Sequence, residues 1–567
     1  MYKIWQVANI DLDKQLILSK ELGISKIFAS ILINRGLANA SQAFKFLNPD
    51  LSDLIDPFKL KDMHKVVTRI KKACQNKEHI AIIADYDVDG LTSCAILKSI
   101  LEKLKLEVSC YIPNRILEGY GLSIAALNHC LAKGAKLVFA VDCGITNHKE
   151  IDFLKSHNID TIIIDHHQPK DNNLPAAFAI IDPKRSDCAY PYKELATVGL
   201  VHKLFEALSQ EREIYLDLVS LGTVADVVPL DGENRIFVKE GLKHISFPKR
   251  TGLKALLEAS GLAGKTISTE YINFILGPRI NAAGRVRTAH DSLQLLLTDS
   301  EEEANILAEK LNSDNRNRQA IEERILKEAL AKIDKEINFK DHYVIVLSAT
   351  GWHQGVLGIV AAKLVDRFYR PAIIISLEKD MGRGSARSIH SFHMFDALTQ
   401  CSRYLEGFGG HKFAAGITIN KNNIEQFKSQ INAIAKNLLK PEDLMPVIEI
   451  DAEIQLSDLN QDLVAELEAL SPFGKGNPEP IFCAKNLRLK GKPIIVGRNS
   501  LKFWVTDGRN FFQAIGFGMV NCMDLVSDAQ SLDLCFTPRL DSWQGEESIV
   551  LELEDIRFNE HVTYGTK

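Results

Sequence analysis

The sequence has no CxxC pair among its ten cysteines, no apolar stretch of bilayer length and no pronounced excess of charge of either sign. Scattered single cysteines exclude a zinc ribbon and a disulfide-stapled scaffold, and they suit a reducing cytoplasm where thiols are small core residues. Apolar runs such as Ile80–Ala84, Leu137–Val141 and Ala372–Ile375 fall far below the ~20 residues of a membrane helix. The opening MYKIWQVANIDLDK lacks the basic, apolar and small-residue layout of a signal peptide, so a cytoplasmic protein away from the membrane is expected. The net charge of −5 excludes binding to polyanions through overall basicity, so a nucleic-acid partner must be met by a local basic cleft.

What is present is an ordinary globular composition, 46 % apolar and 25 % charged, over 567 residues. That length exceeds a single core and predicts about three to four domains. Residues 1–60 read as helical and irregular, without chemistry. From about 75 to 235, short apolar runs (79–84, 108–112, 136–141, 161–164 and 178–181) alternate with helix-like stretches. That alternation predicts a parallel sheet covered on both faces, with the active site at the rim formed by the loops after the strands. Glu301 to about Ile337, free of Pro and Gly, predicts one helix of roughly 50 Å. Its sparse apolar positions suit a connector between domains. A second α/β region follows, and from 447 to 560 β-prone segments separated by Gly, Asn and Asp predict a β-barrel. The expected fold is therefore α/β, with a parallel-sheet domain (61–300) and a second α/β domain (341–445) joined by a long helix (301–340), plus a C-terminal OB-like β-barrel (446–567).

Acids gather at the ends of the first set of strands. Asp85, Asp87 and Asp89 follow Ile82–Ala84, Asp142 follows Val141, and Asp165-His166-His167 follows Ile164. Asp226 lies in the apolar segment Leu221–Leu230. Alternate Asp residues in extended chain would point the same way and converge on one site. Carboxylates buried beside strands are costly unless a positive partner is near, and no Lys or Arg stands within these motifs. A lone DxD is more often a turn or a cap, and a lone His-His pair is more often surface or satisfied core. Their coincidence at several strand ends favours a metal site. Carboxylates and imidazole without a cysteine set point to Mn²⁺ or Mg²⁺, and several carboxylates can hold two ions for phosphoryl transfer.

These residues resemble the DHH superfamily of phosphoesterases, named for the triplet that stands here as Asp165-His166-His167. The resemblance implies that Asp85, Asp87, Asp142, His166 and Asp226 hold two divalent ions, Mn²⁺ or Mg²⁺. It gives Asp89 and His167 a catalytic role in supporting or contacting the scissile phosphate. One departure is Ile83, which stands where many relatives carry histidine. Gly277–Arg285, Trp352–Gly358, Gly384–Ser388, Gly409–Gly416 and Ser471–Pro480 further resemble the superfamily's single-strand-specific 5′→3′ DNA exonuclease branch over nearly the whole chain.

That branch implies a DHH catalytic domain, a DHHA1-like substrate-binding domain and an OB-like domain that tracks single-stranded DNA. Its function would be two-metal hydrolysis releasing 5′-mononucleotides in DNA recombination and repair. It also implies single-stranded DNA, a single-strand-binding protein and a recombination helicase as partners of a monomer. Arg115, Ser385, Arg387, Gly409 and Gly410 are the implied 5′-phosphate site, with His411 and Lys412 beside them. Arg279 and Arg285 are placed along a narrow passage that excludes duplex. Physically, adjacent glycines let backbone N–H groups approach an oxyanion, while Ser385 and Arg387 add a hydroxyl and a bidentate fork. A tight turn at Gly409-Gly410 is the bland alternative.

The OB aromatics Phe503, Trp504, Phe511, Phe512 and Trp543 read individually as barrel core rather than stacking platforms. Ala259–Thr266 nearly matches a GxxxxGKT loop, but Ala replaces the first Gly and a helix-like segment precedes it, so no nucleotide site is expected there. Two rival readings are a DHH phosphodiesterase for short RNA or cyclic dinucleotides, which would be shorter and lack the OB-like domain, and a non-catalytic scaffold, which would have lost metal ligands.

Overall fold

A computed structural model describes residues 2–115, 117–169, 173–543 and 546–559, with the side chains at 542, 543, 546 and 559 outside the description. The chain divides into two compact units, Leu51–Met445 and a second made of Met1–Asp50 with Pro446–Lys567.

In the larger unit the five apolar runs become β1 (Ile80–Ala84), β2 (Val108–Tyr111), β3 (Leu137–Val141), β4 (Asp160–Ile164) and β5 (Ala179–Ile181). They pair in parallel in the order β2-β1-β3-β4-β5. Strand alternation feeds two cores. Ile80, Ile82 and Ala84 enter one with Leu91 and Ala95 of helix α1 (Val88–Lys103), while Ala81 and Ile83 enter the other with Ala126 and Leu154. The order reverses beside β1, which leaves a crevice at the carboxyl ends of β1 and β3. Helices α2 (Thr197–Ser209), α3 (Leu216–Ala225) and α4 (Gly277–Val286) are among those that pack around this sheet.

The expected long helix is α5 (Glu301–Glu336), 36 residues and so about 54 Å long. Ala304, Leu307 and Leu311 of its first turns belong to the core of the first lobe, and Ile325, Ala329 and Ile333 to the core of the second. One rigid rod is thereby shared by both lobes. The second lobe has β6 (Ile345–Thr350), helix α6 (Leu357–Phe368), β7 (Ala372–Glu378), β8 (Met381–Arg387), β9 (Leu405–Gly410) and β10 (Ala414–Asn420). Its sheet order is β9-β10-β8-β7-β6, parallel only between β6 and β7. GSARS and GGHKFAAG lie mostly in strands. Gly384–Arg387 ends β8, Gly409–Gly410 ends β9, and Gly409, Gly416 and Ser385 pair side by side across the sheet. Cross-strand hydrogen bonding outweighs the weak strand propensity of glycine.

In the smaller unit β11 (Ala452–Glu453), β12 (Phe482–Val496), β13 (Ser500–Thr506), β14 (Phe511–Phe517), β15 (Ser531–Trp543) and β16 (Glu546–Asn559) run in the order β11-β12-β13-β14-β16-β15. The additional pairing of β15 with β12 closes a five-stranded barrel. Short helices at Gln461–Glu468 and Met523–Asp528 interrupt a region that reads from sequence as all-β. Phe28, Ile31 and Leu32 from the N-terminal helices share the barrel core with Phe482, Phe503 and Leu551, and Ile4–Val7 pairs in parallel with Val447–Ile450. Phe503 is buried and Phe512 half-buried against that core, as expected, whereas Trp504 and Phe511 are exposed; the side chain of Trp543 lies outside the described residues. Among the described residues no helix is long and apolar enough to cross a membrane.

Candidate metal centre

The first acidic motif is not extended chain. β1 stops at Ala84 and α1 begins at Val88, so Asp85 and Asp87 sit in the turn between strand and helix. Asp87 caps α1, its Oδ1 accepting from Gly90 N–H at 3.2 Å. Gly90 lies against Asp85, where a Cβ would fall 2.4 Å from the Asp85 carbonyl oxygen, so only glycine lets helix and strand end meet this closely. Asp89, in the first turn of α1, clasps the start of α2: its two oxygens accept from the N–H groups of Thr197 and Val198, each at 2.8 Å.

Asp142 leaves β3 with a left-handed backbone (φ 60°), a conformation that costs a non-glycine residue about 1–2 kcal/mol and clusters at functional sites. Its Oδ1 accepts from the Thr197 hydroxyl at 2.8 Å, and its carbonyl oxygen from the Tyr120 hydroxyl at 2.9 Å. His166 is buried, with Nε2 3.6 Å from Asp142 Oδ1 and 3.4 Å from Asp226 Oδ2. Asp226 reaches the site from the end of α3. Asp165 is wholly enclosed and faces inward as an orienting group. It accepts from the N–H groups of Ile145, His166 and His167, and its Oδ1 pairs with His167 Nδ1 at 2.7 Å.

Three overlapping groups bring ligand atoms within 4.8 Å of one another: Asp85-Asp87-Asp142, Asp89-His166-Asp226 and Asp142-His166-His167. Asp85 Oδ1 and Asp226 Oδ2 are buried without a hydrogen bond. Burial, and then the neighbouring carboxylates, push Asp85, Asp142 and Asp226 well above the ordinary carboxylate range. Among the described residues no Lys or Arg forms an ion pair with Asp85, Asp87, Asp142 or Asp226. Mutually repelling acids with orphaned oxygens and one imidazole fit two divalent cations, whose charge would favour every ionised form. The donor set is oxygen and nitrogen; the adjacent Cys143 thiol is driven well up by burial. That chemistry matches Mn²⁺ or Mg²⁺.

Beside this centre, in the same unit, lies a cavity of about 430 Å³ lined in part by Tyr86, Arg115, Leu357, Gly358, Ser385 and Gly409. The Arg115 guanidinium lies 5.1 Å over the Tyr86 ring. Arg387 Nη1 donates to Ser385 Oγ at 3.3 Å. Arg285 bridges the lobes by donating to Gly355 O at 3.3 Å. Burial, and then Arg115, Arg318 and Arg387, bring Arg285 down to about 9. So many guanidinium groups in one neighbourhood make a strong anion site.

Other expected residues stand apart. Arg279 is fastened to α5 through Asn312 Oδ1 (3.1 Å) and to Ile275 O (2.8 Å), and it does not line a further cavity formed in part by Asn281, Arg285, Arg318 and Lys363. His411 occupies the exposed turn between β9 and β10. Gly410 is forced there by φ 144° and by Ala414 O, 2.3 Å from where a Cβ would be. Ile83, in place of a possible histidine ligand, is buried core. Thr197 and Tyr120 have no sequence signal at all. Asp182, at the end of β5, repeats the strand-end acid pattern and passes unnoticed in the sequence; burial pushes it up to about 7.

Three family models match the chain: the DHH family N-terminal domain over residues 79–223, the DHHA1 domain over 341–437 and the RecJ OB domain over 450–555. The single-stranded-DNA-specific exonuclease RecJ of Bacillus subtilis (strain 168) is 36 % identical over 98 % of this chain and 71 % of its own length. That of Escherichia coli (strain K12) is 32 % identical over 97 % of this chain and 99 % of its own. Among solved structures, RecJ of Thermus thermophilus in complex with Mn²⁺ superposes with a TM-score of 0.85 at 28 % identity, covering 98 % of this chain and 80 % of that one. Its Mg²⁺ complex gives a TM-score of 0.79 at 26 % identity, covering 98 % and 79 %.

Proposed function

Because this chain belongs to the single-stranded-DNA-specific exonuclease RecJ family, we propose that it removes 5′-mononucleotides from the 5′ end of single-stranded DNA by metal-dependent hydrolysis, in recombination and repair. The observation that carries this reading is the meeting of Asp85, Asp87, Asp142, His166 and Asp226 beside an arginine-rich cavity. Asp85, Asp87, Asp142, His166 and Asp226 would hold two Mn²⁺ or Mg²⁺ ions, which would supply Lewis-acid activation of water and charge neutralisation at the scissile phosphate.

The remaining side chains position. Thr197 orients Asp142, and Asp89 pins the helix that carries Thr197. Asp165 fixes the His167 ring, which is half-exposed and available to a non-bridging phosphate oxygen. Arg115, Ser385 and Arg387, with the backbone at Gly409 and Gly410, receive the terminal 5′-phosphate. A phosphate held at a set distance from the cations makes cleavage count from an end. The barrel binds single-stranded DNA.

All proposed ligands come from one chain, so the metal site needs no partner subunit to complete it. A single-strand-specific enzyme depends on strands being unwound and kept open, which supports a recombination helicase and a single-strand-binding protein as partners. Ten free cysteines support a reducing, cytoplasmic location.

The test is digestion of 5′-phosphorylated single- and double-stranded DNA with Mn²⁺, Mg²⁺ or chelator. Mononucleotides should appear from the single strand with metal only. Equal attack on blunt duplex, or attack in chelator, would sink the reading.

A further inference from the structure

The anion cavity beside the metal centre is too large for one phosphate. At about 430 Å³ it falls within the range of sites that enclose a whole small molecule. Along β8 the side chains alternate: Gly382, Gly384 and Ala386 turn inward, where a Cβ on Gly384 would meet Ile375 and Ile417, and Arg383, Ser385 and Arg387 turn to the opposite face. Each two-residue step along a strand covers about 6.7 Å, so two guanidinium groups flank the Ser385 hydroxyl on one face.

The neighbouring strands leave that face clear. Gly407, Thr418 and Arg383 stand in one cross-strand row, and Gly409, Gly416 and Ser385 in the next. A Cβ at Gly407, Gly409 or Gly416 would meet nothing within 4 Å. Arg383 Nη1 lies 3.5 Å from Gln354 Oε1, and both line the cavity with Thr418. Leu357 and Gly358, at the start of α6, close one wall, and none of the lining residues is acidic.

A nucleobase would need an apolar or aromatic face. The Tyr86 ring is already covered by Arg115, and Phe408 packs against the core of its own lobe. Hydroxyl, amide and guanidinium side chains over a bare glycine floor suit further oxyanions.

We propose that the cavity accepts 5′-polyphosphorylated strand ends, with Arg383, Thr418 and Gln354 holding the phosphates beyond the one taken by Ser385 and Arg387. The identity of the ligand as a strand end rests on the exonuclease reading; the second anion subsite rests on the cavity.

The test is binding of the full chain to 3′-fluorescein single-stranded DNA carrying a 5′-monophosphate or a 5′-triphosphate, by anisotropy in chelator so that nothing is cut. The triphosphate end should bind at least as tightly as the monophosphate end. Arg383→Ala should weaken the triphosphate end at least tenfold and the monophosphate end less than twofold, with partial rescue by Arg383→Lys. A triphosphate end bound tenfold more weakly than the monophosphate end by the wild type, or an equal loss on both ends in Arg383→Ala, would overturn the proposal. Displacement of the triphosphate strand by an equal concentration of free nucleoside triphosphate would overturn the assignment to strand ends. Hydrolysis of the monophosphate strand with Mn²⁺, run in parallel, reports on the exonuclease reading alone.

Discussion

The Thr197 hydroxyl donates to Oδ1 of Asp142 at 2.8 Å, and this bond ties a helix N-terminus to a carboxylate at a strand end. Asp142 contributes to two of the three metal-compatible groups, so its orientation governs both. Groups that orient metal ligands typically change affinity or activity by about 10–100-fold. Thr197→Val, which keeps shape and loses the hydroxyl, should lower kcat at saturating Mn²⁺ by about that factor and raise the Mn²⁺ concentration for half-activity. Thr197→Ser should restore both. An unchanged metal dependence in Thr197→Val would show the bond to be incidental.

Gly90 is where helix α1 touches Asp85. Gly90→Ala would place a methyl group 2.4 Å from the Asp85 carbonyl oxygen. Overpacking of this kind costs about 1–3 kcal/mol, and here it also displaces a proposed ligand. Thermal unfolding and hydrolysis measured together should both suffer, with activity falling out of proportion to stability. A stable and fully active variant would mean that the turn tolerates more room than its geometry indicates.

His202 sets a pH dependence of folding. It is completely buried, and burial, and then Lys203, push its imidazole down to about 3, against ~6.5 in an unfolded chain. Between those values the unfolded chain holds a proton that the folded chain refuses. This contribution to stability is therefore whole above pH ~6.5 and is lost as pH falls, with a slope approaching about 1.4 kcal/mol per pH unit. His202→Gln keeps a donor for the Arg212 carbonyl, which the ring nitrogen Nε2 meets at 3.1 Å, and removes the titration. Denaturant unfolding between pH 4 and 7 should be less pH-dependent in that variant; parallel curves would contradict the account.

Two adjacent aromatics of the barrel should behave oppositely. Phe503 is buried in the barrel, and Phe503→Ala should cost about 3–5 kcal/mol of stability. Trp504 is exposed on the outer face, with its ring 5.9 Å from Phe511, which in turn lies under the Lys490 ammonium at 4.0 Å. Trp504→Ala should leave the unfolding midpoint nearly unchanged and weaken single-strand binding by about 1–3 kcal/mol. Unaltered affinity would remove this face from the DNA track.

The parallel sheet was legible because five short apolar runs, each ending near Gly, Asn or Asp, admit little else, and each became a strand within a residue or two. The acids at Asp85, Asp142 and Asp165 were legible because a carboxylate directly after a buried strand is conspicuous. Thr197 and Tyr120 were not, since a threonine among apolar residues and a tyrosine in a glycine-rich loop are common and only tertiary contact gives them partners. The pairing of Ile4–Val7 with Val447–Ile450 leaves no local trace, because each segment alone is an ordinary short extended run. That the glycines of β8, β9 and β10 stand in strands is not legible locally, since glycine has weak strand propensity and only the cross-strand partners fix it; there its missing side chains keep a sheet face open.

The most direct test counts cations. Equilibrium dialysis against Mn²⁺, followed by metal analysis, should find two ions per chain in the wild type and fewer than two in Asp142→Ala, with hydrolysis of single-stranded DNA abolished and the fold intact by circular dichroism. A wild type that binds no Mn²⁺, or an Asp142→Ala variant that keeps both ions and near-normal cleavage, would contradict the two-metal centre.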